Sequence, residues 1–314
     1  MRLRLGLALT AVALVVCAAH SAAEGPASPP NPVHIGLVNS LFVDVPDPLV
    51  GILMKPFSGL MRDLTGLNGK AAPAGDAYAI AEKLKDGKLH LGAFQGFEFA
   101  WVQQKYPKLK PLMIAVYYDR HLRASIVVHK DCPAQAIAGL RGTELALPMG
   151  TKGHCRLFLQ RHCTNANGPC DPKAFFSEVR RTEHAEAALD LICDGKVQCA
   201  VIDEVSWQCY KGVKSGPAKR LKVLSQSEVF PAGVIAYYDG GLDQATLNCV
   251  TRGLADATKN RKAIEIMSLF KITSFEEVPE DYADTLANIR RLYPPPPEAL
   301  VAPAKGASNN AGAR

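Results

Sequence analysis

Residues able to do chemistry concentrate in one stretch, Ala146-Leu147-Pro148-Met149-Gly150-Thr151-Lys152-Gly153-His154-Cys155. It reads as a strand end, a glycine turn and the first turn of a helix running on through Gln160. Gly150 and Gly153 let the backbone adopt conformations closed to other residues and approach a ligand. The first N–H groups of a helix lack intrahelical partners, and the helix dipole adds partial positive charge there. Thr151 contributes a hydroxyl, Lys152 a cation and His154 a titratable donor. Together these residues describe an anion cradle. The competing reading is a tight turn without a ligand. The spacing G-x-x-x-x-G-K-[ST] is absent, so this is not a Walker-type loop.

Other groups stand at strand ends, where open α/β sheets bind ligands. Gln95 and Gly96 follow the strand ending at Phe94. Asp203 and Glu204 follow the strand ending at Ile202, placed either to accept hydrogen bonds from a ligand or to cap the next helix. Cys155 beside Lys152 and His154 at a helix start allows an enzyme reading, because that setting lowers a thiol pKa. Neither a zinc-type Cys/His spacing nor a carboxylate and histidine set for iron is present, so no metal or cofactor is expected.

The elements that must carry these groups alternate. Strands read at Val33–Val38, Leu89–Phe94, Leu112–Tyr118, Ala124–His129, Thr143–Leu147, Phe175–Val179, Val197–Ile202, Leu221–Leu224 and Gly233–Tyr238. Helices read at Pro48–Leu64, Ala77–Lys85 (capped by Asp76), Phe97–Tyr106, Pro133–Ala138, Glu183–Cys193, Leu242–Thr258, Arg261–Leu269 and Glu280–Leu292. In the first of these, Leu49, Ile52, Leu53, Phe57, Leu60, Met61 and Leu64 form one broad face, and Pro56 should kink it. Such alternation implies mostly parallel sheets covered by helices. The helix–Asp-Gly-Lys–strand grammar at 82–92 recurs at 190–200, as two lobes of similar construction would give.

Arg2 and Arg4 before the apolar run Leu5–Ala19, with Ser21-Ala22-Ala23 after it, predict a secretory signal peptide over 1–23. The run is too short for a membrane span, and Val16 before Cys17 disfavours a lipidated cysteine. Residues 24–32 and 294–314 have the composition of a disordered linker and tail. With 48% hydrophobic residues the chain can build a core. The mild basic excess favours anionic ligands, and no basic run with interleaved aromatics suggests nucleic-acid binding. Eight of the nine cysteines follow the signal. In an exported protein that count predicts disulfides, with Cys163 to Cys170 the favoured pair and Cys155 oxidised rather than nucleophilic.

Phe57-Ser58-Gly59-Leu60-Met61-Arg62-Asp63-Leu64-Thr65-Gly66-Leu67, the run Ile137-Ala138-Gly139-Leu140-Arg141-Gly142-Thr143-Glu144-Leu145-Ala146-Leu147 and the two Asp-Gly-Lys segments, in this order, resemble the phosphate/phosphonate-type substrate-binding proteins of ABC importers. The likeness runs from about Val33 to Leu269. It implies two Rossmann-like lobes joined by two crossover strands, the type II periplasmic-binding fold. Lobe one would be 33–120 with 232–293, and lobe two 121–231. It also implies a monomer, periplasmic or otherwise exported, that closes over a small oxyanion and hands it to an ABC permease. A ligand sensor without transport is the alternative. The family's anion turn falls on Gly150, Thr151, Lys152, Gly153 and His154. Its Asp-Tyr falls on Asp76 and Tyr78, its Gly-Pro turn on Gln95 and Gly96, and its second-lobe acid on Asp203 or Glu204. The family's hydroxyl-rich turn carries fewer hydroxyls and more charge here, which also admits another anionic organic ligand.

Overall fold

The computed structural model describes residues 32–165, 168–169 and 171–296. The signal, most of the linker and tail, Cys17 and Cys170 lie outside them. Two sheets organise the chain. The first is built from β1 (Val33–Val38), β2 (Gly69–Gly75), β3 (Leu91–Phe94) and β4 (Leu109–Val116). Around it pack α1 (Asp47–Thr65), α2 (Ala77–Lys85) and α3 (Gly96–Lys105). After a short strand β5 (His121–Leu122) the chain enters the second sheet with β6 (Ala124–His129) and β7 (Glu144–Pro148). There follow α4 (Gly153–His162), the small pair β8 (Thr164–Asn165) and β9 (Gly168–Pro169), α5 (Pro172–Phe175) and β10 (Glu178–Thr182). The second sheet is completed by α6 (Ala185–Cys193), β11 (Cys199–Asp203), α7 (Glu204–Val213), α8 (Ser215–Ala218) and β12 (Leu221–Gln226). The chain returns through β13 (Phe230–Pro231) and β14 (Gly233–Tyr238) to α9 (Gln244–Ala255), α10 (Arg261–Leu269), β15 (Ser274–Glu276) and α11 (Tyr282–Leu292).

Strand order is β15-β4-β14-β3-β1-β2 in the first sheet and β10-β7-β11-β6-β12 in the second. In the first, β1 pairs in parallel with β2 and β3, whereas β14 is antiparallel to β3 and β4. In the second, β7 is parallel to β10 and β11, whereas β6 is antiparallel to β11. Each sheet thus takes one antiparallel strand at the crossover, and the β5–β13 ribbon joins the crossovers themselves. This is the two-lobed α/β architecture expected from the alternation.

Several local expectations are corrected. β2 (Gly-Lys-Ala-Ala-Pro-Ala-Gly) has no β-branched residue to announce it; its proline is tolerated because β2 is an edge strand. Residues 133–138 form no helix; a single 3-10 turn stands at Ile137–Leu140. The expected strand at 175–179 begins only at Glu178, after α5. α1 runs unbroken through Pro56, and its buried residues include Val50, Met54, Leu60 and Met61, whereas Leu49 and Ile52 face solvent.

No disulfide forms among the described residues, where three thiols make other contacts. Cys193 Sγ lies 3.6 Å from Tyr210 Oη, and Cys199 Sγ is 3.7 Å from Glu144 O. Cys155 Sγ faces His154 Nε2 at 3.4 Å. Cys209 and Cys249 are exposed on helices of different lobes. The Cys163–Cys170 pairing involves a residue outside those described. No helix among the described residues is long and apolar enough to cross a membrane.

The lobes share part of a core. Phe97 and Trp101 of α3, Phe158 of α4, Phe230 of β13, and Ile289 and Tyr293 at the end of α11 belong to one buried cluster. Trp101 Nε1 donates to Tyr293 O at 2.7 Å, and Tyr293 Oη donates to Glu228 Oε2 at 2.6 Å. Arg161 of α4 reaches the same Glu228 at 3.2 Å. The last helix therefore ties α3 and the crossover to the second lobe.

Candidate interlobe anion site

The turn at 148–153 is built from its own backbone. Gly150 takes φ 66°, a left-handed conformation suited to glycine. Thr151 donates from Oγ1 to Pro148 O at 2.5 Å, which locks the turn and commits the hydroxyl proton to it. Lys152 is the N-cap of α4 and offers no side-chain cap. Its carbonyl accepts from Cys155 N–H at 3.1 Å and Arg156 N–H at 3.2 Å. The N–H groups of Gly153 and His154, the two before them, have no protein acceptor among the described residues. They are the orphan donors of a ten-residue helix, where anions are stabilised.

Lys152 carries its charge next to a carboxylate. Its Nζ lies 3.5 Å from Asp203 Oδ1 and 5.0 Å from the centre of the Tyr117 ring. Asp203 caps α7 by accepting from Ser206 N–H at 3.1 Å and Ser206 Oγ at 2.8 Å. Burial opposes its ionisation, but Lys152 and Ser206 outweigh it and hold the carboxyl below its usual range. Burial pushes the Tyr117 phenol up to about 12. His154 turns its ring inward, onto Phe230 with centroids 5.6 Å apart. Its Nε2 lies 3.4 Å from both Arg123 O and Cys155 Sγ. Burial, then Lys152, pulls its pKa down to about 4, so it is neutral near pH 7. His154 therefore offers the site its backbone amide, not a charge.

The first lobe brings a second helix start to the same place. Gln95 is the N-cap of α3, and its Nε2 donates to Ser40 O at 3.2 Å. A β-carbon on Gly153 would collide with the Gln95 side-chain amide, so the two helix starts meet across the cleft. Gly96 admits no side chain either, because it lies against the carbonyls of Pro231 and Ala232 at the crossover. Glu98, three residues into α3, accepts from Ser40 Oγ at 2.8 Å and from the Gln95 N–H. Burial raises its pKa to about 7 against these two hydrogen bonds.

The other expected residues separate. Asp76 caps α2 by accepting from Ala79 N–H at 2.8 Å. Tyr78 packs between α2 and α3 with the Lys105 ammonium over its ring, and its buried hydroxyl has no partner among the described residues. Asp203 lines a cavity of about 260 Å³ together with Thr151, Lys152, His184, Tyr210 and, from the first lobe, Lys271. Glu204 lies in a different groove with Asp119, His121 and Arg123, accepting from Gln226 Nε2 at 2.8 Å. Sequence reasoning did not find Ser40, Glu98, Tyr117 or Lys271. Two had a signal: Ser40 stands just beyond the carboxyl end of β1, and Tyr117 lies near the end of the strand expected at 112–118, at the crossover. The thiol of Cys155 is buried, and burial followed by Asp203 raises its pKa well above the usual value, so it is no thiolate nucleophile.

The family model described as ABC transporter, phosphonate, periplasmic substrate-binding protein matches residues 52–282. No protein of curated function matches the chain by sequence. PhnD1 of Prochlorococcus marinus, solved in complex with methylphosphonate, superposes with a TM-score of 0.53 at 12% identity, over 82% of this chain and 97% of that one. XAC2383 of Xanthomonas citri, solved bound to ATP, gives a TM-score of 0.52 at 17% identity, over 84% and 98%. These likenesses establish the type II periplasmic-binding fold. By its match over most of its length, the chain belongs to the phosphonate-type periplasmic substrate-binding proteins of ABC transporters, which are binding proteins and not enzymes.

Proposed function

We propose that the chain is exported, captures a small phosphate- or phosphonate-like oxyanion between the starts of α3 and α4, and presents it to an ABC permease as a monomer. The observation that carries this reading is the pair of unpartnered N–H groups on Gly153 and His154, set opposite Gln95. Free backbone donors at a helix start are a ready-made place for an anion. Lys152 supplies positive potential, tempered by Asp203, and the cavity beside them has room for the substituent of an organic anion. In this reading lobe one is 33–120 with 232–293, lobe two is 121–231, and residues 1–23 are the removed signal. Gln95, Gly153 and the His154 amide touch the ligand, with Thr151, Lys152 and Asp203 around them, and Gly150, Gly96 and Asp76 shape the walls.

A thermal-shift panel of phosphate, phosphite, methylphosphonate, sulfate and simple carboxylates tests the proposal, because a ligand that binds only the native state must raise Tm. A shift of several degrees with a phosphorus oxyanion is expected. A panel in which no anion raises Tm would refute it.

A further inference from the structure

The turn after Phe42 makes a contact that the anion cleft does not use. Asp44 sits there at φ 72°, a left-handed conformation that aspartate and asparagine adopt more readily than most residues. Its Oδ2 accepts from Gly150 N–H at 3.0 Å, Arg156 Nη2 at 2.6 Å and Arg181 Nη2 at 2.8 Å. All three donors belong to the second lobe, whereas Asp44 follows β1 of the first.

The second lobe brings the backbones of those donors together and holds the Arg156 guanidinium. Arg181 on β10 lies in register opposite Leu147 on β7, and Met149 N–H donates to Thr182 O at 2.7 Å. Arg156 Nε donates to Thr151 O at 3.0 Å, which ties its guanidinium to the same turn. Among the described residues neither guanidinium pairs with any carboxylate of its own lobe. One amide and two cations thus meet at one point on the second lobe, and such a group of donors selects an oxyanion.

We propose that Gly150 N–H, Arg156 and Arg181 form a second anion site, distinct from the Gly153 and His154 amides, which closure fills with the chain's own Asp44 carboxylate. With the lobes parted, the site takes a free tetrahedral oxyanion, and that anion must leave before the lobes can shut. The site therefore ties closure to the surrounding anion concentration.

Calorimetric titration with sulfate tests this on the whole protein. Asp44→Gly removes the tethered carboxylate, and glycine suits the backbone at φ 72°. It should bind one sulfate more than the wild type, and Asp44→Gly/Arg181→Ala should return to the wild-type count. Asp44→Asn, which keeps the side-chain shape, gives the same comparison should the glycine variant fold poorly. Equal counts in the wild type and the Asp44 variants, or an extra sulfate that survives Arg181→Ala, would overturn the proposal. Only differences in count are read, so sulfate held at the start of α4 in every variant does not affect the result.

Discussion

Gln95 and Gly153 are in contact across the cleft, one at the N-cap of α3 and the other at the first residue of α4. Neither position carries a side-chain cap, so both helix starts are left for something else to satisfy. Gly153→Ala places a methyl in this contact. Affinity for the anion should fall at least about tenfold, or ~1.4 kcal/mol. The unliganded Tm should change little, because alanine's helix advantage of roughly 0.5–1 kcal/mol is set against displacing the Gln95 side-chain amide. Calorimetry and a thermal melt on one preparation would separate these effects. Undiminished affinity would mean that the ligand does not sit between the two helices.

Lys152→Glu sets a new carboxylate against Asp203, 3.5 Å from where the ammonium lay, and against the start of α4. The charge reversal should weaken anion binding by more than about tenfold. Far-UV circular dichroism should remain that of the wild type, since Lys152 lies outside the hydrophobic clusters. Unchanged affinity would remove this turn from the site.

Glu98 makes binding depend on pH. Its carboxyl, raised to about 7 by burial, is neutral below that value and negative above it. A bound anion favours the neutral form, so affinity should fall as pH rises through 7, by at most about tenfold per unit. Sulfate is the probe to use, since its own charge is constant over this range. Glu98→Gln should flatten the profile; a slope that persists in the variant would assign the effect to another group.

Folding stability should show two opposed titrations. Glu98 has a native pKa above its unfolded value of 4.5, so its contribution is full below 4.5 and is lost as pH rises to about 7. His154 has a native pKa of about 4 against 6.5 unfolded, so its contribution is full above 6.5 and is lost as pH falls to about 4. Across their overlap the two partly cancel. Denaturant unfolding of Glu98→Gln should show stability falling steeply with acid in that range, and His154→Gln the reverse. Parallel curves for the two variants would contradict the assignment.

The turn at 148–153 was legible because its chemistry is local: strand, glycine, cap and helix follow one another in sequence. The paired Asp-Gly-Lys segments were legible for the same reason. Gly87 and Gly195 take φ 70° and 69°, and Lys88 and Lys196 reach back to Asp86 and Asp194 at 2.9 and 3.1 Å. What escaped is set by tertiary contact. Asp44 lies 106 positions from Gly150, and no spacing rule links them. β2 is an edge strand of small residues held by β1, with no periodicity of its own. The cysteine count suggested cross-links, yet no disulfide forms among the described residues; Cys193 and Cys155 settle against a hydroxyl, a carbonyl and an imidazole, and Cys199 against a carbonyl in a cluster it shares with Cys132 and Cys163.

Tyr293 has a bearing on how the protein is made. It closes a cluster whose other members are spread from Phe97 to Ile289, and its carbonyl receives the Trp101 indole proton. On the ribosome, every residue through Tyr293 must emerge before that aromatic plug is available. A nascent chain halted near residue 280 would display Phe97, Trp101 and Phe230 without their cover, a surface for holdase chaperones to grip until synthesis ends.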